Sequence, residues 1–389
     1  MIAIRVQQAA DPRWRLPRAA YVHIPFCAHK CGYCDFASLA GVDHLADRYL
    51  TALEREIETA LTEPQEVDTI FVGGGTPTRL DASSLSGLTS IIRRWFVLSP
   101  GGEWTVEANP GTLDAAKADV LAEAGVERVS LGAQSFQPEL LRVLERDHGR
   151  RHVEQALELV RPRFPRWSLD LIFGVPGSNI DTWRADLEIA LSFGPSHLSC
   201  YGLVFEKGTA LWNQRQSGRV EPVDEETERR MYEWTIERLA AAGLDMYEIS
   251  NFAVPGHESR HNLAYWANDA YFGFGVGAAR YLHGVRSVNT RDINAYLRRI
   301  ESGMLAIGPS EELSAEDRAR ETVILMLRRT QTGIERTDFE RRTGFELDAL
   351  AGATITRYQT RGLLEDDGQR VRLSHEGLFV ADQILCDFL

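Results

Sequence analysis

Apolar positions along this chain fall into short runs separated by polar or glycine-bearing stretches, and the runs alternate between two spacings. Dense, mostly apolar segments over residues 20–26, 67–73, 104–108, 128–133, 168–173 and 197–203 predict six strands. Between them, the amphipathic stretches 44–61, 83–96, 114–124, 151–160 and 181–192 predict helices, each opened by a polar residue suited to an N-cap. Repeated strand–helix alternation implies an α/β fold with a parallel sheet, its strands covered on both faces. The pattern alone does not decide between an open sheet and a barrel. In either case ligands gather at the carboxyl ends of the strands.

Beyond residue 209 the pattern loosens. A strong helix is predicted over 224–242 and a short apolar strand over 246–249, followed by the glycine-rich stretch Gly273-Phe-Gly275-Val-Gly277-Ala-Ala279. Gly308-Pro309-Ser310 marks a boundary, so the chain divides into a leader (1–18), a main domain with its extension (19–307) and a smaller C-terminal domain (308–389). That last part predicts a helix over 315–329, two shorter helical stretches, a hairpin turn at Asp367-Gly368 and a closing helix from Ser374, an order resembling a winged helix.

Charge bears on what such a domain could bind. The whole chain carries a net charge of −13, and residues 310–389 hold 11 basic against 16 acidic side chains, whereas a DNA reader presents a basic face. No nucleic-acid partner is expected. The first residues lack the continuous apolar core of a signal peptide, and no run of about 18 apolar residues occurs, so a cytoplasmic protein is expected. The five cysteines form no disulfide framework; Cys200 and Cys386 sit in apolar runs and read as small buried hydrophobes.

The other three, Cys27, Cys31 and Cys34, follow the first predicted strand with the spacing C-x3-C-x2-C. A structural zinc site needs a fourth ligand, and none stands nearby: position 36 is Phe and the next cysteine is Cys200. Three thiolates on a four-iron cluster leave one iron open to a small-molecule ligand. The remaining strand ends are also chemically unusual. They carry Gly73-Gly74-Gly75-Thr76-Pro-Thr78, Glu107-Ala-Asn109-Pro, Gln134-Ser135, and Asp170 with Gly174-Val-Pro176.

These features together resemble the radical S-adenosylmethionine superfamily, with Tyr33 as the aromatic residue before the last cysteine. The resemblance implies a partial six-stranded (β/α) barrel, a [4Fe–4S] cluster on Cys27, Cys31 and Cys34, and S-adenosylmethionine chelated to the open iron. It implies contacts to that cofactor from Tyr21, Tyr33, Gly74, Gly75, Thr76, Glu107, Gln134, Arg146 and Asp170, with backbone contacts from Val204 and Ala279. The motifs Y-V-H-I-P-F-C, G-G-G-T-P-T, V-E-A-N-P and D-L-I-F-G-V-P are similar to the branch containing oxygen-independent coproporphyrinogen III oxidase. That oxidase has a further cysteine where Phe36 stands and a longer arm before the cluster.

A final motif separates the branches. His261-Asn262-Leu-Ala-Tyr265-Trp266 matches H-N-x-x-Y-W and resembles the HemW-type heme chaperones. The likeness implies a protein that binds heme and delivers it to a hemoprotein acceptor of respiratory, membrane-bound type, with self-association into a homodimer. Histidine is a common axial ligand of heme iron, and Tyr and Trp rings suit a porphyrin face, so His261, Tyr265 and Trp266 are the candidate heme residues. His23, His29 and His257 are rival ligands. Oxidase and radical methylase activities of the same branch stay open beside the chaperone reading.

Overall fold

The computed structural model describes residues 16–389, so most of the leader lies outside the described residues. Its end is fixed: Arg18 pairs with Glu66 and Asp68 at the base of the sheet. The six predicted strands are present as β1 (Ala19–Ile24), β2 (Gln65–Gly74), β3 (Phe96–Ala108), β4 (Arg128–Gln134), β5 (Arg166–Phe173) and β6 (His197–Gly202). They lie side by side in chain order, all parallel.

Both edges of this series are extended. Tyr271–Phe274 adds to β1 in parallel and is followed by the antiparallel strands Ala279–Leu282, Val285–Asn289 and Ile307–Glu312; Asn251–Ala253 and Asp245–Glu248 add to β6. The two edges do not pair with each other, which leaves a partial, open barrel. Helix Arg260–Trp266 connects the elements of these two edges in sequence and sets His261 against Thr69 on β2.

Side chains alternate along each strand, and here the two faces differ in chemistry. Val22, Ile24, Ile70, Val72, Leu169 and Leu171 are essentially inaccessible in the main hydrophobic core. Their neighbours Tyr21, Phe71 and Asp170 line a cavity instead. The expectation of strands apolar on both faces is therefore corrected: the helix-covered face is apolar and the inner face carries the polar groups.

Helix Ala46–Ala60 shows how the outer layer is held. Leu53 and Ile57, one turn apart, are fully buried, and each such side chain contributes about 1.5–3 kcal/mol. Helix starts follow the sequence cues: the carboxylates of Asp81, Asp114 and Asp224 accept the backbone N–H of Ser84, Lys117 and Thr227.

Three expectations shift. The helix predicted over 83–96 ends at Trp95, and β3 begins at Phe96 rather than at 104, its front half hidden in the sequence by Ser99-Pro100-Gly101-Gly102. A register shift in the pairing of β2 with β3 accommodates those strand-breaking residues. Gly308-Pro309-Ser310 lies within the edge strand Ile307–Glu312, so the extension runs past the expected boundary to Glu312. The closing helix is two short ones, His375–Leu378 and Ala381–Cys386, and Cys386 is exposed rather than buried because it sits at the free end of the second.

The C-terminal domain has its own core, built on Val323, Phe339, Ile355 and Val371. Its order is helix Ala315–Leu327, strand Ile334–Glu335, helices Arg336–Thr343 and Leu347–Thr360, then strands Leu364–Asp366 and Arg370–Leu373 in one small antiparallel sheet. That is a winged-helix-like arrangement. No helix among the described residues is long and apolar enough to cross a membrane.

Candidate functional site

At the carboxyl end of β1 the chain leaves as a loop whose base is clamped by a two-residue parallel pairing, Phe26 with Leu39 and Cys27 with Ala40. Cys27, Cys31 and Cys34 lie on this loop, partly exposed and with free thiols. Each sulfur faces a polar neighbour: Cys27 meets the Thr76 hydroxyl at 3.7 Å, Cys34 the Ser38 hydroxyl at 3.8 Å, and Arg146 donates to Cys31 at 3.3 Å. Burial, the largest influence, pushes the Cys27 and Cys34 thiols up, and the neighbouring cysteines push the same way. Among the described residues no group of three ligating side chains is arranged around a single metal ion. The three sulfurs lie on one partly exposed loop, and Arg146 reaches one of them as a donor.

Beside the loop, β2 ends in Gly73-Gly74-Gly75. A Cβ on Gly73 would stand 2.6 Å from the Glu107 carboxylate, and one on Gly75 would stand 2.8 Å from the Ile24 carbonyl oxygen. Side chains are excluded here by the close approach of three chain segments. Gly74 donates its N–H to Glu107 at 3.0 Å, and Thr76 donates its N–H to the Phe26 carbonyl at 2.8 Å, tying glycine turn, β3 and cysteine loop together.

Glu107 and Asp170 face this region from β3 and β5. Burial, reinforced by the charge of Asp170 and opposed by the Gly74 N–H, pushes the Glu107 carboxyl up to about 7. Burial also raises Asp170, against the hydroxyl donors Ser199 and Ser130 and the more distant charges of Arg146 and Arg128. Hydrogen bonds from Gly74 and Ser130 serve these two carboxylates, but no ion pair to either is seen among the described residues. Two half-buried carboxylates left in this condition favour a cationic ligand, and a sulfonium or an ammonium would lower both.

Gln134 ends β4 at a φ of 65°, beyond a register shift at Gly132, and points into the same cavity. Of the four non-glycine residues with positive φ among the described residues, Gln134, Glu145 and Asn268 line the cavity; such backbone strain collects at functional sites. Arg146 is no solvated helix end. It bridges the Gly132 carbonyl at 2.8 Å and the Cys31 sulfur, joining β4 to the cysteine loop. Tyr21, Tyr33, Val204 and Ala279 line the cavity too, so every residue expected to contact the cofactor borders one space.

That space measures about 1040 Å³, at the top of the usual range of roughly 300–1,000 Å³ for small-molecule pockets. It runs from the cysteine loop to helix Arg260–Trp266 and on to the C-terminal domain at Glu321 and Leu325. His261, Tyr265 and Trp266 line its far part. His261 is 1 % exposed, with Nδ1 2.8 Å from the Thr69 hydroxyl and Nε2 2.9 Å from the Tyr265 hydroxyl. Burial lowers it to about 3, so its ring is neutral.

The rival histidines are placed differently. His23, buried between the Tyr21 hydroxyl and the Ala37 carbonyl, and His29, exposed beside Glu145, line the cavity as well, whereas His257 does not. Sequence reasoning missed Tyr271, Arg286 and Glu321, which complete the far wall. They lie on scattered elements with no motif spacing to mark them.

The glycine cradle, the cysteine loop and the open barrel define a radical S-adenosylmethionine protein, and residues 21–190 match the Radical SAM superfamily, with residues 313–380 matching the HemN C-terminal domain. The chain is 38 % identical to heme chaperone HemW of Bacillus subtilis over 96 % of its own length and 99 % of the relative's. It is 36 % identical to heme chaperone HemW of Mycobacterium tuberculosis over 95 % and 94 %, and 32 % identical to the mitochondrial radical S-adenosyl methionine domain-containing protein 1 of Bos taurus over 95 % and 87 %. The chain belongs to the HemW family. Its fold matches coproporphyrinogen III oxidase (HemN) from Escherichia coli with a TM-score of 0.84, covering 99 % of this chain and 92 % of that one at 22 % identity.

Proposed function

We propose that this protein is a heme-binding chaperone that carries a [4Fe–4S] cluster and S-adenosylmethionine and hands heme to a hemoprotein acceptor. The observation that supports it is that one cavity is lined both by the cysteine loop and by the H-N-x-x-Y-W helix, two motifs more than 200 residues apart in sequence. Family membership agrees with this reading.

Cys27, Cys31 and Cys34 would hold three irons of the cluster, with Arg146 steadying the Cys31 sulfur. Gly74, Gly75 and Thr76 would meet the methionine end of S-adenosylmethionine, Glu107 its positive charge, and Asp170, with Gln134, the ribose. Tyr21 and Tyr33 flank this space. When bound and reduced, the cluster supplies an electron able to cleave the carbon–sulfur bond of the sulfonium. The chain's own share is to fix the cofactor and limit its contact with water. Heme would take the far part of the cavity, with His261 toward the iron and Tyr265 and Trp266 against the ring.

Anaerobically reconstituted protein, offered heme, should develop a Soret band and pass heme to an apo-hemoprotein. Offered coproporphyrinogen with reductant and S-adenosylmethionine, it should form no protoporphyrinogen. Turnover of coproporphyrinogen without heme binding would replace the chaperone reading with the oxidase one.

A further inference from the structure

Among the described residues three arginines line the cavity, and two serve the cysteine loop: Arg146 reaches Cys31, and Arg291 pairs with Asp35. The third, Arg286, stands at the other end. Its strand partner Tyr281 pairs with Tyr271, which pairs with Ala19 at the start of β1. The cysteine loop leaves β1 beyond Ile24, five residues away, or about 16 Å at 3.3 Å per residue.

Arg286 packs over the Tyr281 ring at 5.2 Å and grips both oxygens of Glu321 at 2.5 and 3.0 Å. Glu321 belongs to the C-terminal domain, on helix Ala315–Leu327, and it lines the cavity as well. Asn268, two residues past the H-N-x-x-Y-W motif, adopts a φ of 52° and donates its side-chain amide to Glu321 at 3.2 Å and to Thr322 at 3.0 Å. A forked guanidinium on a carboxylate is the geometry of carboxylate recognition, and here the carboxylate is the protein's own. The surrounding wall is aromatic, from Tyr265, Trp266 and Tyr271.

We propose that Arg286 is a carboxylate receptor for a propionate of the bound tetrapyrrole, and that Glu321 occupies this receptor until the propionate displaces it. The assignment rests on the heme reading of the cavity. One forked carboxylate replaces another, so the hydrogen bonds of Arg286 are kept while Glu321 is released. Occupation therefore cuts the Arg286–Glu321 tie between the C-terminal domain and the barrel; the Asn268 bonds to Glu321 and Thr322 and the Arg342–Asp269 ion pair remain.

The test titrates heme and its propionate dimethyl ester, by Soret absorbance, into the full-length reconstituted wild type, Arg286→Gln and Glu321→Gln. Wild type should prefer the free acid. Arg286→Gln should bind the acid roughly tenfold more weakly and the ester unchanged, whereas Glu321→Gln should bind the acid several-fold more tightly. If the pair only pins the C-terminal domain, both variants lose the same ion pair and must shift in the same direction for both ligands, which would overturn the assignment. Heme binding by wild type with no discrimination between acid and ester also overturns it while leaving the chaperone reading intact. Wild type that binds neither form sinks the chaperone reading and this assignment together.

Discussion

His261 and Tyr265, one turn apart on the same helix, are joined from Nε2 to the phenol oxygen at 2.9 Å. With Nδ1 held by Thr69, both ring nitrogens have partners, so an iron at Nε2 must displace the tyrosine. This gives two separable effects. His261→Ala strands the buried Thr69 hydroxyl and removes a partner of the Tyr265 hydroxyl, and should lower stability by about 1–3 kcal/mol, seen in thermal denaturation. It should also remove the axial nitrogen and shift the Soret band.

Tyr265→Phe isolates the second effect. It frees Nε2 without emptying the site, so heme should bind at least as tightly, with its spectrum unchanged. Loss of the heme band in Tyr265→Phe would make the tyrosine oxygen the ligand instead. Retention of the wild-type band by folded His261→Ala would transfer the search to His29, the exposed histidine on the cavity wall.

Cluster assembly gives an independent check. Single changes of Cys27, Cys31 or Cys34 to Ala should abolish the broad absorbance at about 400 nm of the reconstituted protein, because no spare cysteine lies near the loop. Cys200→Ala should keep it, since Cys200 is buried in the main core. A full four-iron content in Cys31→Ala would remove the loop from its assigned role.

Phe36 stands 63 % exposed and lines the cavity, at the position where the resemblance to the oxidase branch implies a cysteine. Phe36→Cys should therefore fold normally. It should not produce protoporphyrinogen from coproporphyrinogen in an anaerobic assay, because one side chain does not rebuild a substrate site. Measurable turnover by this single variant would mean that the two branches differ by that residue alone.

What could be read from the sequence follows the reach of local patterns. Tyr21-Val22-His23-Ile24 shows both faces of β1 in four letters, and the cysteines and glycines announce themselves because a turning loop needs them close together. Asp170 was legible as a carboxylate interrupting an apolar strand. Arg286, Glu321 and Asn268 were not, since Arg286 and Glu321 lie 35 residues apart and Asn268 and Glu321 lie 53 apart, and only tertiary packing brings them together. The front half of β3 was hidden for a related reason: its proline and glycines contradict a strand locally, and pairing with β2 on either side of them, across a register shift, holds the strand together.

The carboxyl of Glu107 yields the pH test. Its value in the folded protein, about 7, lies above the ordinary 4.5, through burial first and the charge of Asp170 second. The folded state thus binds the proton more tightly than the unfolded one, so this group's stabilisation is fully present below pH 4.5 and is lost as pH rises through 7. Cofactor-free protein should be more stable at pH 5 than at pH 8 by up to about 3 kcal/mol from this group, a difference that Glu107→Gln should remove. A cationic ligand has the opposite preference, because it needs the carboxylate. S-adenosylmethionine affinity should rise from pH 6 to pH 8, with proton release on binding measurable by calorimetry in two buffers of different ionisation heat. In Glu107→Gln the affinity should be flat with pH and weaker at pH 8 by about 1.5–3 kcal/mol, the size of a hydrogen bond to a charged group. A wild-type affinity that does not change across this range would leave the cofactor's positive charge to Asp170.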